Sequence, residues 1–288
     1  MNIIEKLRHS ERSFSLEFFP PKKDIPITSV YEAIEKLSGY SPSFVSVTYG
    51  AGGSNRDRVI DIASHVKSLG LEALAHLTCV GADPNSIDYT LSQLESIGVS
   101  GVLALRGDVP EGLDMDTAYK HFKHASDLIS AIKRRGGFCI GAAAYPEAHM
   151  ESESTEEDIS YMKLKAELGA DFFITQLCFD SRAIIAFYEN VEKAGIKAPV
   201  ITGIMPIMNP NQITRMAFLS ACSIPAPLSR IISRYGSDPD SFKKAGLGYA
   251  VEEIEYLMDN GIGRFHIYTM NKPDVAEQII LGSRLKTI

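Results

Sequence analysis

Short apolar segments alternate with longer amphipathic segments along the whole chain. Eight apolar segments have the length and composition of strands buried on both faces, and they fall near residues 13–19, 43–48, 72–78, 100–106, 137–144, 171–177, 199–205 and 263–269. The stretches between them carry apolar residues at helical spacing, as at 57–69 and 86–97. Eight strands in strict alternation with helices predict an α/β fold, a closed (β/α)₈ or TIM barrel.

Glycines end many of the helical segments, which supports this reading. Gly39, Gly70, Gly98, Gly136, Gly169, Gly195 and Gly261 stand just before strands, where a helix commonly closes with a left-handed residue. Three helical segments, 212–221, 225–234 and 238–260, precede the eighth strand, so we expect an extra helix inserted between strands 7 and 8. No linker rich in Pro, Gly or Ser divides the chain, and we expect one barrel domain over 1–288.

An open doubly wound sheet is the competing fold. Residues 50–53 read Gly-Ala-Gly-Gly and resemble part of a dinucleotide fingerprint. That fingerprint should follow the first strand and be answered by an acidic residue at the end of the next strand. Here it follows the second strand, and Glu72 opens the next one, so the barrel is favoured.

Charge and cysteine usage narrow the class of protein. The 288 residues carry a formal charge of −7, which argues against a nucleic-acid or membrane partner held by bulk electrostatics but allows a local basic pocket. The four cysteines are widely spaced and are expected to be reduced core residues, not ligands of a metal. The N-terminus has no apolar signal-peptide core, so a cytoplasmic protein is expected.

Polar side chains gather where the predicted strands end. In barrels of this class the C-terminal strand ends form one mouth that carries the chemistry. This mouth would hold two carboxylates but no Cys/His pair and no metal-ligand cluster, which suits proton transfer and cation stabilisation around an organic cofactor. The residues concerned are Glu17, Thr48, His76, Arg106, Asp108, Tyr145, Gln176 and Tyr268.

Each of these residues also has a purely structural interpretation. Glu17 lies among Leu16 and Phe18, so we expect burial and a raised pKa, although a solvated strand end is the alternative. Asp108 is either functional or a turn cap whose ion-pair partner is Arg106. A histidine within a strand, such as His76, is more often a satisfied core residue than a catalyst.

The same residues carry a resemblance to a known family. The motifs are Leu16-Glu17-Phe18-Phe19-Pro20-Pro21-Lys22, Ser46-Val47-Thr48-Tyr49-Gly50-Ala51-Gly52-Gly53, His76-Leu77-Thr78-Cys79, Ala104-Leu105-Arg106-Gly107-Asp108, Ala144-Tyr145-Pro146-Glu147, Ile174-Thr175-Gln176 and His266-Ile267-Tyr268-Thr269-Met270-Asn271. In this order and over nearly the whole chain, they resemble the methylenetetrahydrofolate reductases.

The resemblance implies a barrel that holds FAD, reduced by NADH or NADPH, and that converts methylenetetrahydrofolate to methyltetrahydrofolate. Glu17 resembles the general acid for ring opening, and Asp108 the carboxylate that stabilises the iminium cation beside the flavin. The implied flavin contacts are Thr48, Tyr49, Ala51, His76, Arg106, Gly107, Asp108, Tyr145, His149, Asp158 and Lys165. The implied substrate contacts are Gln176, Gln212, Tyr268 and Lys272.

Three positions depart from the family pattern. Lys272 replaces an arginine of some members, Met216 replaces a stacking aromatic for which Phe218 is a candidate substitute, and Tyr161 stands where asparagine is common. Two alternatives stay open, a flavin-free barrel lyase and a flavin subunit reduced by a protein donor. A homo-oligomer is also compatible with the sequence. The end of the chain at Ile288 leads us to expect no C-terminal regulatory domain.

Overall fold

The computed structural model describes residues 1–22, 24–49, 56–109 and 112–287, apart from the side chain of Arg56, and confirms the closed barrel. The described residues form eight parallel strands, each paired with the next, and β8 pairs with β1 to close the ring. This closure excludes the open doubly wound sheet. The strands are β1 (Ser13–Phe18), β2 (Val45–Val47), β3 (Ala73–Thr78), β4 (Gly101–Leu105), β5 (Cys139–Ala144), β6 (Phe172–Thr175), β7 (Val200–Ile204) and β8 (Arg264–Tyr268).

Helices surround the barrel, and several begin at caps visible in the sequence. Asp83 and Asp238 accept hydrogen bonds from the first turn of their helices, and each is followed by a proline. The helices are α1 (Ile3–His9), α2 (Thr28–Ser38), α3 (Arg56–Ser68), α4 (Pro84–Ser96), α5 (Met115–Ala118), α6 (Ala125–Arg135), α7 (Thr155–Leu168), α8 (Ser181–Lys193), α9 (Pro210–Ser220), α10 (Ala226–Tyr235), α11 (Pro239–Asp259) and α12 (Pro273–Gly282), with a 3₁₀ turn at Arg284–Thr287.

The segment between β7 and β8, which the structure describes completely, holds the helices α9, α10 and α11. A single helix is the usual connection in a (β/α)₈ barrel. The additional helices pack on each other and on a small apolar cluster at the ends of β6 and β7 that includes Leu177, Met205 and Phe242. The insertion therefore builds on the mouth side of the barrel.

The core has two layers because successive strand residues point to opposite faces. Phe14, Leu16 and Phe18 of β1 join the large cluster between strands and helices, whereas Leu74, Leu103 and Phe172 belong to a separate cluster inside the barrel. The four cysteines are buried and free, as the sequence predicts. Among the described residues, no helix combines the length and apolar character needed to cross a bilayer.

Helix α1, which the sequence analysis did not predict, closes the bottom of the barrel. Ile3 and Leu7 are buried in the interior cluster, one helical turn apart. Lys6 donates to the Ser43 carbonyl, and Arg264 at the start of β8 donates to the Leu7 carbonyl. The N-terminal end of the barrel is thus plugged by the chain's own first helix.

Two glycines illustrate different constraints. Gly39 was expected to be left-handed, but its φ is −60°, and Ser41 takes the left-handed conformation instead, with φ 54°. Gly101 is required by packing, since a Cβ there would lie 2.5 Å from Ile3 Cδ1 and 3.2 Å from the Ala73 carbonyl oxygen. The absence of a side chain at Gly101 is what lets α1 enter the barrel.

We expect Gly101→Ala to lower the free energy of unfolding by about 1 to 3 kcal/mol, the usual cost of overpacking a core. Ile3→Val removes the clashing Cδ1, so the double variant should recover part of the loss. Urea unfolding of both variants measures this. Gly248→Ala is the control, because a Cβ there meets nothing within 4 Å in helix α11. Equal destabilisation at both glycines would contradict the packing argument.

Candidate active site

The inward-facing positions change from apolar at the bottom of the barrel to polar at its mouth. The strand register places Glu17 of β1 beside Ser46 of β2 and Tyr268 of β8. His76 of β3 and His266 of β8 are also buried in this region. Since the C-terminal ends of all eight strands meet here, the polar residues form a cluster around one carboxylate.

Glu17 is the centre of that cluster. Its Oε2 lies 3.4 Å from Ser46 Oγ, 3.4 Å from His266 Nε2 and 3.5 Å from His76 Nε2. His266 is fully buried, and its Nδ1 lies 2.7 Å from Ser15 Oγ. The Phe44 ring stacks on the imidazole at a centroid distance of 5.9 Å. The side chain of Glu17 is thereby positioned by rigid strand residues on both sides.

The electrostatics of Glu17 differ from the sequence-based expectation. Burial raises the pKa of Glu17, but the hydrogen bond from His266 and the charges of His76 and His266 outweigh it, so the net pKa is lowered. The expected raised pKa of Glu17 was therefore wrong. Burial lowers the pKa of His76 to about 4 despite the neighbouring carboxylate. At neutral pH the pair is an ionised Glu17 beside a neutral His76.

Tyr268 lies across the mouth next to Glu17. Its hydroxyl donates to the Thr175 carbonyl at 2.8 Å, and burial, Glu17 and Tyr145 together raise its pKa. Gly203 makes room for the ring, since a Cβ there would lie 2.6 Å from Tyr268 Oη. The neighbouring Gln176 accepts a hydrogen bond from the Leu177 amide at 2.8 Å. Tyr268 and Gln176 thus each carry a polar atom that a hydrogen bond holds in place.

A cavity of about 330 Å³ opens beside this cluster, between the ends of β4 and β5 and helices α6 and α7. It brings together five of the residues predicted to bind the flavin, namely Arg106, Tyr145, His149, Asp158 and Lys165. Tyr161, one of the three departures from the family pattern, lines it too.

Lys165 is a partly buried cation of this cavity. Its Nζ donates to the Ala143 carbonyl at 2.7 Å, and burial lowers its pKa to about 8 although Asp158 acts in the opposite direction. Asp158 accepts a hydrogen bond from the His149 amide, and the His149 ring meets Tyr145 edge-on at 4.9 Å. The cavity wall thus presents a buried ammonium with no carboxylate of the described residues within 4 Å.

Arg106 has a different partner from the one considered in the sequence. Its guanidinium forms an ion pair with Glu151 and lies 4.5 Å above the Tyr119 ring, while its buried Nε has no hydrogen-bond partner among the described residues. Asp108 is exposed, three residues beyond β4, and no ion pair joins it to Arg106. Gly107 between them has φ 80°, and a Cβ there would lie 2.9 Å from Thr78 Cβ.

The remaining predicted residues are more dispersed. Thr48 and the buried Tyr49 follow β2, and Ala51 lies outside the described residues. Gln212 is held by its own loop, since it donates to the Pro206 carbonyl and accepts from the Met208 amide. Lys272 is exposed at the start of α12.

The two candidates for a stacking residue on α9 differ in exposure. Phe218 is 82% exposed, and Met216 packs against the cluster at the ends of β6 and β7. No aromatic ring contact is formed by Phe218 within the described part of the chain. It is the more available of the two for an incoming ring.

Several polar residues of this region were missed as site residues. Ser46 and His266 stand inside motifs recognised from the sequence but were given no role, and Ser15, Tyr119 and Glu151 were not considered. The spacing along the strands could have identified two of them, because residues two positions apart in a strand share a face. Ser15 is two positions from Glu17, and His266 is two positions from Tyr268. The contact of Glu151 with Arg106 depends on loop geometry and left no sequence signal.

Comparison with known proteins settles the family. A family model described as methylenetetrahydrofolate reductase matches residues 2–283. The chain belongs to this family. It is 35% identical to the 5,10-methylenetetrahydrofolate reductase of Escherichia coli (strain K12) over 266 residues, which cover 92% of this chain and 88% of that protein. The resemblance read from the sequence motifs is confirmed.

Eukaryotic relatives are longer. Methylenetetrahydrofolate reductase (NADH) 1 of Arabidopsis thaliana is 34% identical over 299 aligned positions, covering 98% of this chain and 50% of the plant protein. The chain thus spans about half the length of that relative. A solved structure, an uncharacterised protein from Clostridium thermocellum that binds two copies of 5-methyl-5,6,7,8-tetrahydrofolic acid, superposes with a TM-score of 0.70 at 19% identity and 98% coverage of both chains. At that identity the likeness shows the fold alone.

The lowered pKa of His76 makes a prediction about stability. The unfolded chain takes up a proton near pH 6.5 and the folded protein only near pH 4, so between these values the unfolded state binds more protons and stability falls as pH falls. Over this whole pH range the titration of His76 changes the free energy of unfolding by about 3 kcal/mol. We expect His76→Gln to flatten this part of the stability curve, measured by urea unfolding from pH 7 to pH 4. His9→Gln, at an exposed position, should leave the curve unchanged.

Proposed function

We propose that this protein reduces methylenetetrahydrofolate to methyltetrahydrofolate, with FAD carrying hydride from NADH or NADPH. The observation that supports this best is Glu17, whose side chain is only 17% exposed at the mouth of a family barrel, beside a cavity that holds Arg106 and Lys165 together with Asp158 and Glu151. A cytoplasmic location and a single-domain organisation remain predictions.

The cavity residues fit the pyrophosphate of FAD. The Lys165 ammonium forms no ion pair with a carboxylate of the described residues, and the buried Nε of Arg106 has no hydrogen-bond partner among them. An anion entering here would give the first an ion-pair partner and the second an acceptor. His149 and Asp158 are fixed to each other and shape the same wall. When bound, FAD would supply the hydride chemistry, which none of the twenty side chains can provide. Arg106 has to exchange its contact with Glu151 for the phosphate oxygens.

Glu17 is proposed as the group that delivers a proton to the folate. Contacts of its Oε2 with Ser46 and His266 fix the orientation of the carboxyl group at the mouth. In the open mouth the histidines lower its pKa, and a folate ring that covers it would remove the remaining solvent. That desolvation favours the protonated form, which is the form a general acid needs.

Asp108 is proposed to stabilise positive charge on the substrate. It follows β4 on the same side of the barrel as Glu17, and the charge of its exposed carboxylate contributes to raising the pKa of Tyr145. An anion at this point favours a developing cation and opposes a developing anion. Gln176, Tyr268, Gln212 and Lys272 are proposed substrate contacts, with Gln212 also holding the loop after β7.

The purified protein tests the proposal directly. Flavin absorbance, either as isolated or after addition of FAD, and its anaerobic bleaching by NADH or NADPH are expected. A protein that cannot take up flavin would indicate the flavin-free lyase. Flavin that neither nucleotide bleaches would indicate a protein donor.

Glu17→Gln separates the two half-reactions. We expect reduction of the bound flavin by the nucleotide to stay nearly unchanged, whereas its reoxidation by methylenetetrahydrofolate should slow by about 10² to 10⁴-fold, the typical contribution of a general acid. Stopped-flow absorbance under anaerobic conditions measures both steps. Glu11→Gln, an exposed carboxylate just before β1, is the control. Equal losses in both half-reactions would overturn the assigned role.

Lys165→Met should have opposite effects on affinity and stability. Removing a desolvated ammonium should raise the free energy of unfolding by at most about 3 kcal/mol at neutral pH. Leaving the Ala143 carbonyl unpaired should lower it by about 1 to 2 kcal/mol. In the absence of FAD the variant should therefore be slightly more stable. The affinity for FAD, measured by fluorescence quenching, should fall about tenfold or more. Lys163→Met, exposed on the same helix, should change neither. Unchanged FAD affinity in Lys165→Met would remove Lys165 from the cofactor site.

A further inference from the structure

A second cavity, of about 600 Å³, lies where the insertion between β7 and β8 meets the start of helix α8. We name it the peripheral cavity. It is formed by the starts of α8 and α10 and by one face of α11, and its polar lining includes Asp180, Arg182, Arg230, Glu252 and Glu253. No residue lines both this cavity and the one beside Glu17. Its size falls in the range of small-molecule sites.

Glu253 on α11 is a buried acid in the peripheral cavity. Its side chain belongs to a residue that is only 5% exposed, and its Oε1 is buried with no hydrogen-bond partner among the described residues. Burial and the charge of Asp180 raise the pKa of Glu253 to about 8. A polar atom buried in this way costs free energy unless a ligand or water satisfies it.

The peripheral cavity is lined by side chains of both charges. Helix α11 contributes Glu252 and Glu253, and Asp180 caps the start of α8 by accepting from the Arg182 amide. Arg182 and Arg230 are exposed, and neither forms an ion pair with a carboxylate of the described residues. The first turn of α10, close to Arg230, begins at Pro225 without a side-chain cap. A ligand here meets the two acids of α11 on one side, and two arginines without ion pairs together with Asp180 at the starts of α8 and α10.

The charges that line the peripheral cavity favour some classes of ligand over others. No group of three or more His, Cys, Asp or Glu side chains in the described parts of the chain is arranged to hold a metal ion. An inorganic anion could use Arg182 and Arg230 but would leave the Glu253 oxygen without a donor. An ammonium group provides that donor, and a carboxylate on the same molecule matches the arginines. The Tyr249 and Tyr256 rings lend the cavity apolar surface for a side chain.

We propose that the peripheral cavity binds a free L-α-amino acid, with its ammonium on Glu253 and its carboxylate on Arg182 and Arg230. The site is separate from the reaction proposed above, so the two proposals stand or fall independently. Binding an ammonium favours the ionised carboxylate, so the proton held by Glu253 at neutral pH passes to the buffer.

Isothermal titration calorimetry tests this with L-leucine, L-phenylalanine, L-arginine and L-glutamate at pH 7. Titrations in phosphate and in Tris, which differ in ionisation enthalpy, report protons released. We expect at least one of the four to bind with release of close to one proton. Its N-acetyl and C-terminal amide derivatives should bind at least about tenfold more weakly, because each lacks one of the two charges. Failure of all four to bind, or equal binding of the derivatives, would overturn the proposal.

Glu253→Gln keeps the shape of the side chain and replaces its ionisable carboxyl group with an amide that does not titrate. We expect proton release to disappear and amino-acid affinity to fall about tenfold or more, while Glu192→Gln on the exposed side of α8 behaves like the parent protein. Arg182→Gln and Arg230→Gln, both at exposed positions, should abolish the preference for the free acid over its amide. Wild-type affinity and proton release in Glu253→Gln would refute the role of this residue, and an unchanged preference in both arginine variants would refute theirs.

Discussion

The structure depends on keeping an ionisable carboxylate inside a closed barrel. Only 17% of the Glu17 side chain stays exposed, and the surrounding groups offset the cost of desolvating the rest because His266 and Ser46 lie 3.4 Å from the same oxygen. His266 is in turn held by Ser15 one strand away. The small residues of the neighbouring strands matter for the same reason, since Gly203 admits the Tyr268 ring that covers this region. The position of the Glu17 carboxylate therefore depends on residues from several strands of the barrel.

The fold was predictable from the sequence to a large extent. Each strand lies within the segment that its apolar run indicated, because a parallel barrel buries both faces of every strand and leaves a continuous hydrophobic signal. Helix α1 escaped detection because it is two turns long and its apolar residues, Ile3 and Leu7, give too short a pattern. Its cap was visible, since Asn2 and Glu5 form a reciprocal capping box. Gly39 shows the opposite error, a predicted feature that the structure does not have. A glycine between a helix and a strand need not be the residue that adopts the left-handed conformation.

The site was predictable where strand position decides it and less so where loops do. The sequence places Glu17, His76 and Tyr268 at strand ends, and strand register brings Glu17 and Tyr268 together. It does not give the sign of a pKa shift, because that depends on whether burial or the two histidines dominate. It also does not give the pairing of Arg106 with Glu151, since 45 residues separate them and the contact is made by a loop. Side-chain partners across loops are set by tertiary packing that no local pattern encodes.

The plug formed by α1 also fixes the orientation of the chain's beginning. Ile3 and Leu7 enter the barrel from the end opposite to Glu17, and Met1 is 75% exposed beside them. A linker joined to Met1 would therefore leave from the floor of the barrel. If the protein were attached to a surface through that residue, the mouth of the barrel would face the solution. The length of the barrel would then separate the attachment point from any molecule that enters the mouth.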